Sequence, residues 1–172
     1  GIKIAYPSTG ADLKGLMKAA YYDPNPVIML EHKGLYWSKM KGTEDAATIA
    51  PDEDYVLPFG KARTVIEVPN SKIKNTVTII TYGMGVYWAK AAIKAFNEQV
   101  EIIDLRTLIP LDEVAIYESV KKHGRCIVLT EEQVSGSYAE AISGRISKNC
   151  FQFLDAPVHV MGAKDMPAIP LN

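Results

Sequence analysis

Cysteine, histidine and net charge are all scarce in this chain of 172 residues. The two cysteines, Cys126 and Cys150, fall in an expected strand and near an expected helix end. They read as small buried side chains of a reducing compartment, not as a disulfide framework. His32, His123 and His159 share no metal-ligand spacing with one another or with a cysteine, which argues against a zinc site. Lys and Arg number 19 against 20 acids, a formal net charge of −1. That balance gives no electrostatic case for nucleic acid or an anionic membrane. No apolar run approaches the roughly 20 residues that span a bilayer. A Gly-x-Ser-x-Gly elbow and a Walker loop are both missing. Gly83-Met84-Gly85 lacks the third glycine of a dinucleotide fingerprint, since position 88 is Trp, and a plain tight turn accounts for it better than a ligand contact. The chain opens Gly1-Ile2-Lys3-Ile4-Ala5, with no initiator Met and no signal-peptide pattern, and reads as a fragment of a longer polypeptide.

What is present is ordinary globular material, 48% hydrophobic and 23% charged, organised in three pieces. Ile2–Tyr6 alternates like a strand. Ser8-Thr9 offers an N-cap, and Thr9 with Asp12 has capping-box spacing. Leu13, Leu16, Met17, Ala20 and Tyr21 recur as one apolar helical stripe, which Asp23-Pro24-Asn25-Pro26 stops. Pro26–Glu31 is a second strand. This β-α-β unit is too small to stand alone, so residues 1–35 read as the tail of a domain. Periodicity fades over residues 36–70, a stretch longer than a compact domain usually leaves without structure, and this part reads as a linker; Lys61–Val68 is its one candidate strand.

Residues 71–172 are regular. Strands are expected at Thr76–Tyr82, Val100–Leu105, Arg125–Thr130 and Pro157–Met161. Between them lie helical stripes of Val86, Ala89, Ile93 and Phe96, then Val114, Tyr117 and Val120, then Ala139, Ile142 and Ile146. Alternation at this spacing predicts an α/β fold, a mostly parallel sheet with helices on both faces and right-handed crossovers. Pro110 suits the start of a helix and Asp112 its cap. His123 suits a helix C-terminus, with Gly124 as its left-handed stop. Glu131-Glu132 stand at a strand's carboxyl end, where α/β ligand crevices lie, although a solvated edge or helix-cap charges explain such a pair more economically. The residues by themselves assemble no complete active site.

Ile103-Asp104-Leu105-Arg106-Thr107-Leu108-Ile109-Pro110-Leu111-Asp112 resembles the hallmark of the C-terminal transketolase-like domain in the E1 β subunits of thiamine-diphosphate-dependent 2-oxoacid dehydrogenases. Further matches follow in that family's order. They include residues 1–9 with 12–20, Glu31-His32-Lys33-Gly34-Leu35-Tyr36, Leu57–Ala62, Thr81–Gly85, Leu154–Val158 and Met166–Pro170. The resemblance implies a three-layer transketolase C-terminal-like domain at residues 71–172, preceded by the last β-α-β unit of a pyrimidine-binding domain. The implied parent is an E1 component that decarboxylates a 2-oxoacid, with 2-oxoisovalerate favoured over pyruvate, and transfers the acyl group to lipoyl-E2. A transketolase or deoxyxylulose-phosphate synthase is the alternative; Glu31-His32-Lys33 and Leu154–Val158 favour the dehydrogenase.

The resemblance places thiamine diphosphate and Mg²⁺ on the α portion and on upstream β residues. No catalytic or cofactor-binding residue is therefore expected here, and His32 is not the family's catalytic histidine. One metal site carries over, a structural K⁺ held by Ala20, Tyr21, Asp23 and Asn25 mostly through backbone oxygens. The implied partners are the E1 α portion, a second E1 β portion and the subunit-binding domain of the E2 lipoyl acyltransferase. The implied location is cytoplasmic in a bacterium and the mitochondrial matrix in a eukaryote. By itself the chain is expected to be inactive and to serve subunit association and E2 docking.

Overall fold

The computed structural model describes residues 1–36, 40–69, 73–96 and 98–167. Ala168–Pro170, the end of the last family match, lie outside the described residues. The β-branched runs form two sheets. In the first, β1 (Lys3–Ala5) lies between β2 (Val27–Met29), to which it is parallel, and β6 (Thr107–Ile109), to which it is antiparallel. The second has the order β3-β5-β4-β7-β8, built from β3 (Arg63–Ile66), β4 (Val77–Thr81), β5 (Val100–Asp104), β7 (Cys126–Gln133) and β8 (His159–Ala163). All its neighbours are parallel except β3, which runs antiparallel along β5.

Among the described residues the α-helices are α1 (Gly10–Tyr22), α2 (Gly85–Ala92), α3 (Glu113–His123) and α4 (Tyr138–Cys150). Successive strand residues point to opposite faces, and the second sheet uses both. Ile79 and Ile102 pack with Ala89 of α2 on one face. Ile80, Ile103 and Val128 pack with Ile116 and Val120 of α3 and with Ala139, Ile142 and Ile146 of α4 on the other. These are the three layers expected from the alternation. Both cysteines are free and buried, Cys126 in β7 and Cys150 at the end of α4.

Several local expectations shift. Pro110 does not open the helix. Ile109-Pro110 is a cis peptide, Thr107–Ile109 form the extra strand β6, and α3 begins at Glu113. Asp112 does cap α3, accepting from Ala115 N at 3.2 Å, and Gly124 closes it at φ 68°. The face that α3 buries is Ile116, Ser119, Val120 and His123, while Val114 is 66% exposed. The apolar stripe misled there because half of the true buried face is polar. On α2, Phe96 is exposed because the helix ends at Ala92 and tightens into a 3₁₀ turn over Ile93–Ala95.

That polar face of α3 meets Glu101, a buried acid in the middle of β5. Ser119 Oγ and Lys122 Nζ each donate to its carboxylate at 2.7 Å, and His123 Nε2 lies 3.3 Å away. Burial alone would raise this carboxyl, but the donors from His123, Lys122 and Ser119 outweigh it and hold it at about 2. A folded-state pKa below the ordinary value makes a contribution present above the unfolded pKa and lost as pH falls towards the folded one. Stability should therefore drop between about pH 4.5 and pH 2. Glu101→Gln should flatten that limb of a denaturation profile; an unchanged acid limb would mean that Glu101 is not its source.

Candidate functional site

The charged groups of the chain converge where the two sheets meet. Arg106 follows β5 at φ 56°, a conformation non-glycine residues seldom adopt. Asp104 stabilises the turn by accepting Arg106 N–H on Oδ1 at 3.1 Å. So held, the Arg106 guanidinium donates to Lys61 O and Ala62 O, each at 3.0 Å, and to Asp12 Oδ1 at 3.1 Å. Arg63 of β3 lies on the same two acids, with Nη1 3.4 Å from Asp12 Oδ2 and Nη2 3.2 Å from Asp104 Oδ2. Ser8 Oγ donates to Asp104, and Tyr87 OH donates to Ser8 O at 2.7 Å. Asp12 and Asp104 are almost fully buried. Burial pushes the Asp104 carboxyl up to about 6 against the opposing pull of Ser8 and Arg63.

Thr9 caps α1 by accepting Asp12 N–H, as its spacing predicts. The Asp12 carboxylate does more than complete a capping box: it takes the Thr9 hydroxyl at 2.9 Å and ties α1 to both arginines. Two acids and two guanidiniums thus cancel in a site with little water. Fork-shaped donors suit such a site, because each fixes direction as well as charge. The cluster joins segments more than ninety residues apart and holds no activated nucleophile; its chemistry is that of a clasp.

Beside the clasp, the carboxyl end of β7 reaches those of β1 and β2. Glu131 accepts from Tyr6 OH at 3.2 Å and contacts His32 Nε2 at 3.0 Å. Burial, with Glu131 nearby, pushes the Tyr6 phenol up to about 12. Glu132 accepts from Tyr82 OH at 2.8 Å and from Tyr138 N at 3.2 Å. The pair therefore behaves partly as cap charges, since Tyr138 opens α4, and partly as ties between sheets. Gly83 of the Gly-x-Gly turn has φ 54°, and a Cβ there would lie 2.6 Å from the Tyr6 ring. The turn is glycine for conformation and close packing.

Ala20, Tyr21, Asp23 and Asn25 come together in the turn that closes α1. Asp23 N–H bonds back to Ala20 O at 3.3 Å. Asp23 Oδ1 accepts Asn25 N and Nδ2, both at 3.0 Å, while Oδ2 pairs with Lys3. Lys3 and Asn25 hold this carboxyl at about 2. With that carboxylate committed, the main-chain oxygens at the helix end are what remains for a cation. Among the described residues no three His, Cys, Asp or Glu side chains gather as a metal site.

No local signal marks the roles of Arg63, Ser8, Tyr6 and Tyr87 in this site; Ser8, beside Thr9 a candidate cap, turns to Asp104 instead. Their partners lie from 41 to 125 residues away. Asp104 and Arg106 stand inside the family string, but nothing in the sequence marks their contacts with Asp12 and Arg63.

Residues 67–172 match the family profile described as the transketolase C-terminal domain. The chain is 39% identical over 173 residues to the 2-oxoisovalerate dehydrogenase subunit beta of Bacillus subtilis (strain 168), covering 99% of this chain and 49% of that protein. It is 39% identical over 170 residues to the pyruvate dehydrogenase E1 component subunit beta of Rhizobium meliloti (strain 1021), covering 97% of this chain and 34% of that one. The chain spans about half the length, or less, of the curated relatives it matches. Among solved structures, a split gene transketolase described as an inactive beta4 tetramer has the same fold, with a TM-score of 0.67 at 19% identity over 95% of this chain and 49% of that one.

Proposed function

Because this chain belongs to the transketolase C-terminal domain family, we propose that it is the C-terminal part of a 2-oxoacid dehydrogenase E1 β subunit and serves its assembly. The observation that carries the reading is the similarity to E1 β subunits along 99% of the chain, well beyond the family domain itself. In the intact enzyme the reaction is oxidative decarboxylation of a 2-oxoacid, with 2-oxoisovalerate as the substrate, and transfer of the acyl group to lipoyl-E2. Pyruvate is the second reading, supported by a relative of equal identity. In this reading residues 1–35 end the pyrimidine-binding domain, 36–70 link, and 71–172 form the second domain.

The donors in this chain do not suit a metal-bound diphosphate. In the first turn of α1 the N–H groups of Ala11, Asp12 and Leu13 are taken by Thr48 Oγ1, Thr9 Oγ1 and Thr9 O, and the nearby acids repel an anion. We place thiamine diphosphate and Mg²⁺ on the α portion and upstream β residues. A K⁺ fits better: the carbonyls of Ala20, Tyr21, Asp23 and Asn25 would hold it, and it would neutralise the oxygen-rich end of α1.

In this reading a partner covers some of the exposed apolar side chains, among them Tyr21, Phe151 and Val114, which are 84%, 77% and 66% exposed on separate elements. The partners we assign are an E1 α portion, a second β portion and the subunit-binding domain of E2. Among the described residues no helix is long and apolar enough to cross a membrane. We place the protein in the bacterial cytoplasm or, in a eukaryote, the mitochondrial matrix.

Calorimetric titration of the chain against an E1 α subunit and against the E2 subunit-binding domain tests the reading. Saturable binding to either one is expected, with no CO₂ released from 2-oxoisovalerate by the chain alone in the presence of thiamine diphosphate and Mg²⁺. Decarboxylation by the isolated chain, or binding to neither partner, would overturn it.

A further inference from the structure

Asp104, at the end of β5, has no exposed surface and the smaller share of the clasp's positive charge. Arg63 stands opposite it in the antiparallel β3 register and places Nη2 3.2 Å from Asp104 Oδ2. Nη1 of the same guanidinium lies 3.4 Å from Asp12 Oδ2. The Arg106 guanidinium turns to Asp12, Lys61 O and Ala62 O, and Arg106 bonds Asp104 through its main-chain N–H. Asp12 thus touches two guanidiniums, and Asp104 shares one. Taking a carboxyl out of water disfavours its charged form, and a second acid across a shared cation acts in the same direction.

The other elements packed around Asp104 do not change that balance. α1 contributes Asp12, and β3 contributes Arg63. α2 contributes the Tyr87 phenol, which donates to Ser8 O and which burial raises, so it stays neutral. β4 sets the uncharged Thr81 beside Asp104 in register. Burial is the largest influence and lifts the Asp104 carboxyl from 3.8 to about 6, over the opposing pull of Ser8 and Arg63.

Both protonation states find partners here. Ser8 Oγ donates to Asp104 Oδ2 when that oxygen is anionic. A hydroxyl can also accept, so a proton taken up on Oδ2 is donated to Ser8 Oγ in turn. Oδ1 accepts the Arg106 N–H in either state. Arg63 is the partner that changes most. Its side chain is 34% exposed and lines a surface crevice with Thr64, Val86 and Lys90, so it can give up Asp104 for solvent while keeping Asp12.

We propose that Asp104 is a proton-operated latch where the two sheets meet: as the carboxylate it holds Arg63, and in mild acid it takes a proton from solvent on Oδ2, bonds Ser8 as the acid and leaves Arg63 to Asp12. The latch does not depend on the family reading.

Carbon-13 nuclear magnetic resonance of the whole chain, labelled at the aspartate carboxyl carbons, follows it directly. The Asp104 signal, assigned through its own main chain, should titrate near pH 6. Arg63→Gln should raise that midpoint by about one pH unit or more, because the shared cation is lost. The proton relieves a buried charge, so the folded chain takes it up before the unfolded chain does. The folding equilibrium should therefore strengthen as pH falls from about 6 to about 4, by roughly a hundredfold for a two-unit separation. Asp104→Asn, neutral at every pH, should lack this rise and keep the Glu101 limb below it. A wild-type midpoint below about pH 5, an unmoved midpoint in Arg63→Gln, or an unchanged rise in Asp104→Asn would each overturn the proposal.

Discussion

Arg106→Ala should lower the stability of this protein by about 3–5 kcal/mol, the range for removing one partner of a buried ion pair. The side chain is 11% exposed and satisfies Lys61 O, Ala62 O and Asp12 Oδ1 at once. Truncation leaves the buried Asp12 with the Thr9 hydroxyl and, as its one remaining cation, the more distant Arg63, and two main-chain oxygens without their donor. Alanine also inherits φ 56°, keeping the Asp104 bond to its N–H but losing the side-chain bonds that help hold the turn. Arg106→Gly relieves that backbone cost and should be less damaging by about 1–2 kcal/mol. Arg106→Lys keeps the charge but cannot reach three acceptors with a fork, and should fall between wild type and alanine. Chemical denaturation of the three variants checks the order. In the intact enzyme the same substitution should loosen assembly and stability more than cofactor affinity. Full stability and assembly with lost affinity for thiamine diphosphate would show that the clasp reading is wrong.

Leu16→Ala should cost about 2–5 kcal/mol, whereas Met17→Ala and Tyr21→Ala should stay within about 0.5 kcal/mol in this chain. The sequence places all three on one apolar stripe, but the structure separates them. Leu16 is fully buried in a small cluster with Ala5 and Leu57, while Met17 is 51% and Tyr21 84% exposed. The reason lies in Gly15 and Asp12, which share the buried face with Leu16. A Cβ on Gly15 would lie 2.8 Å from Leu57 Cβ, so the segment after Tyr55 packs on the helix where the stripe has no apolar side chain. Asp12 turns the same face towards the arginines. Equal destabilisation by Leu16→Ala and Met17→Ala would mean that α1 is rotated from this position. If a partner covers Met17 and Tyr21, their substitution should weaken association instead of folding.

These two cases mark how far the chain could be read in advance. Strands rich in Ile and Val are visible because burial on both faces makes them continuous apolar runs between turns. Thr9, Asp112 and Gly124 were visible as caps because a cap acts within one turn. The face of α3 was misjudged because Ser119 and His123 go inward to meet Glu101, and apolar counting cannot register a buried polar face. Strand β6 was missed because Thr107–Ile109 pair with β1, about a hundred residues earlier, across a short segment with no periodicity to display.

The sequence by itself determined the α/β alternation, the helix caps and the family, since each rests on residues close together in the chain or on an ordered series of short matches. Only the tertiary structure decided that Asp12, Arg63, Asp104 and Arg106 form one buried clasp, and that Glu131 meets Tyr6 and His32 across the two sheets. Charge compensation and hydrogen bonding act over about three ångströms of space, whatever the separation along the chain. Their partners become definite only once two sheets have folded against each other.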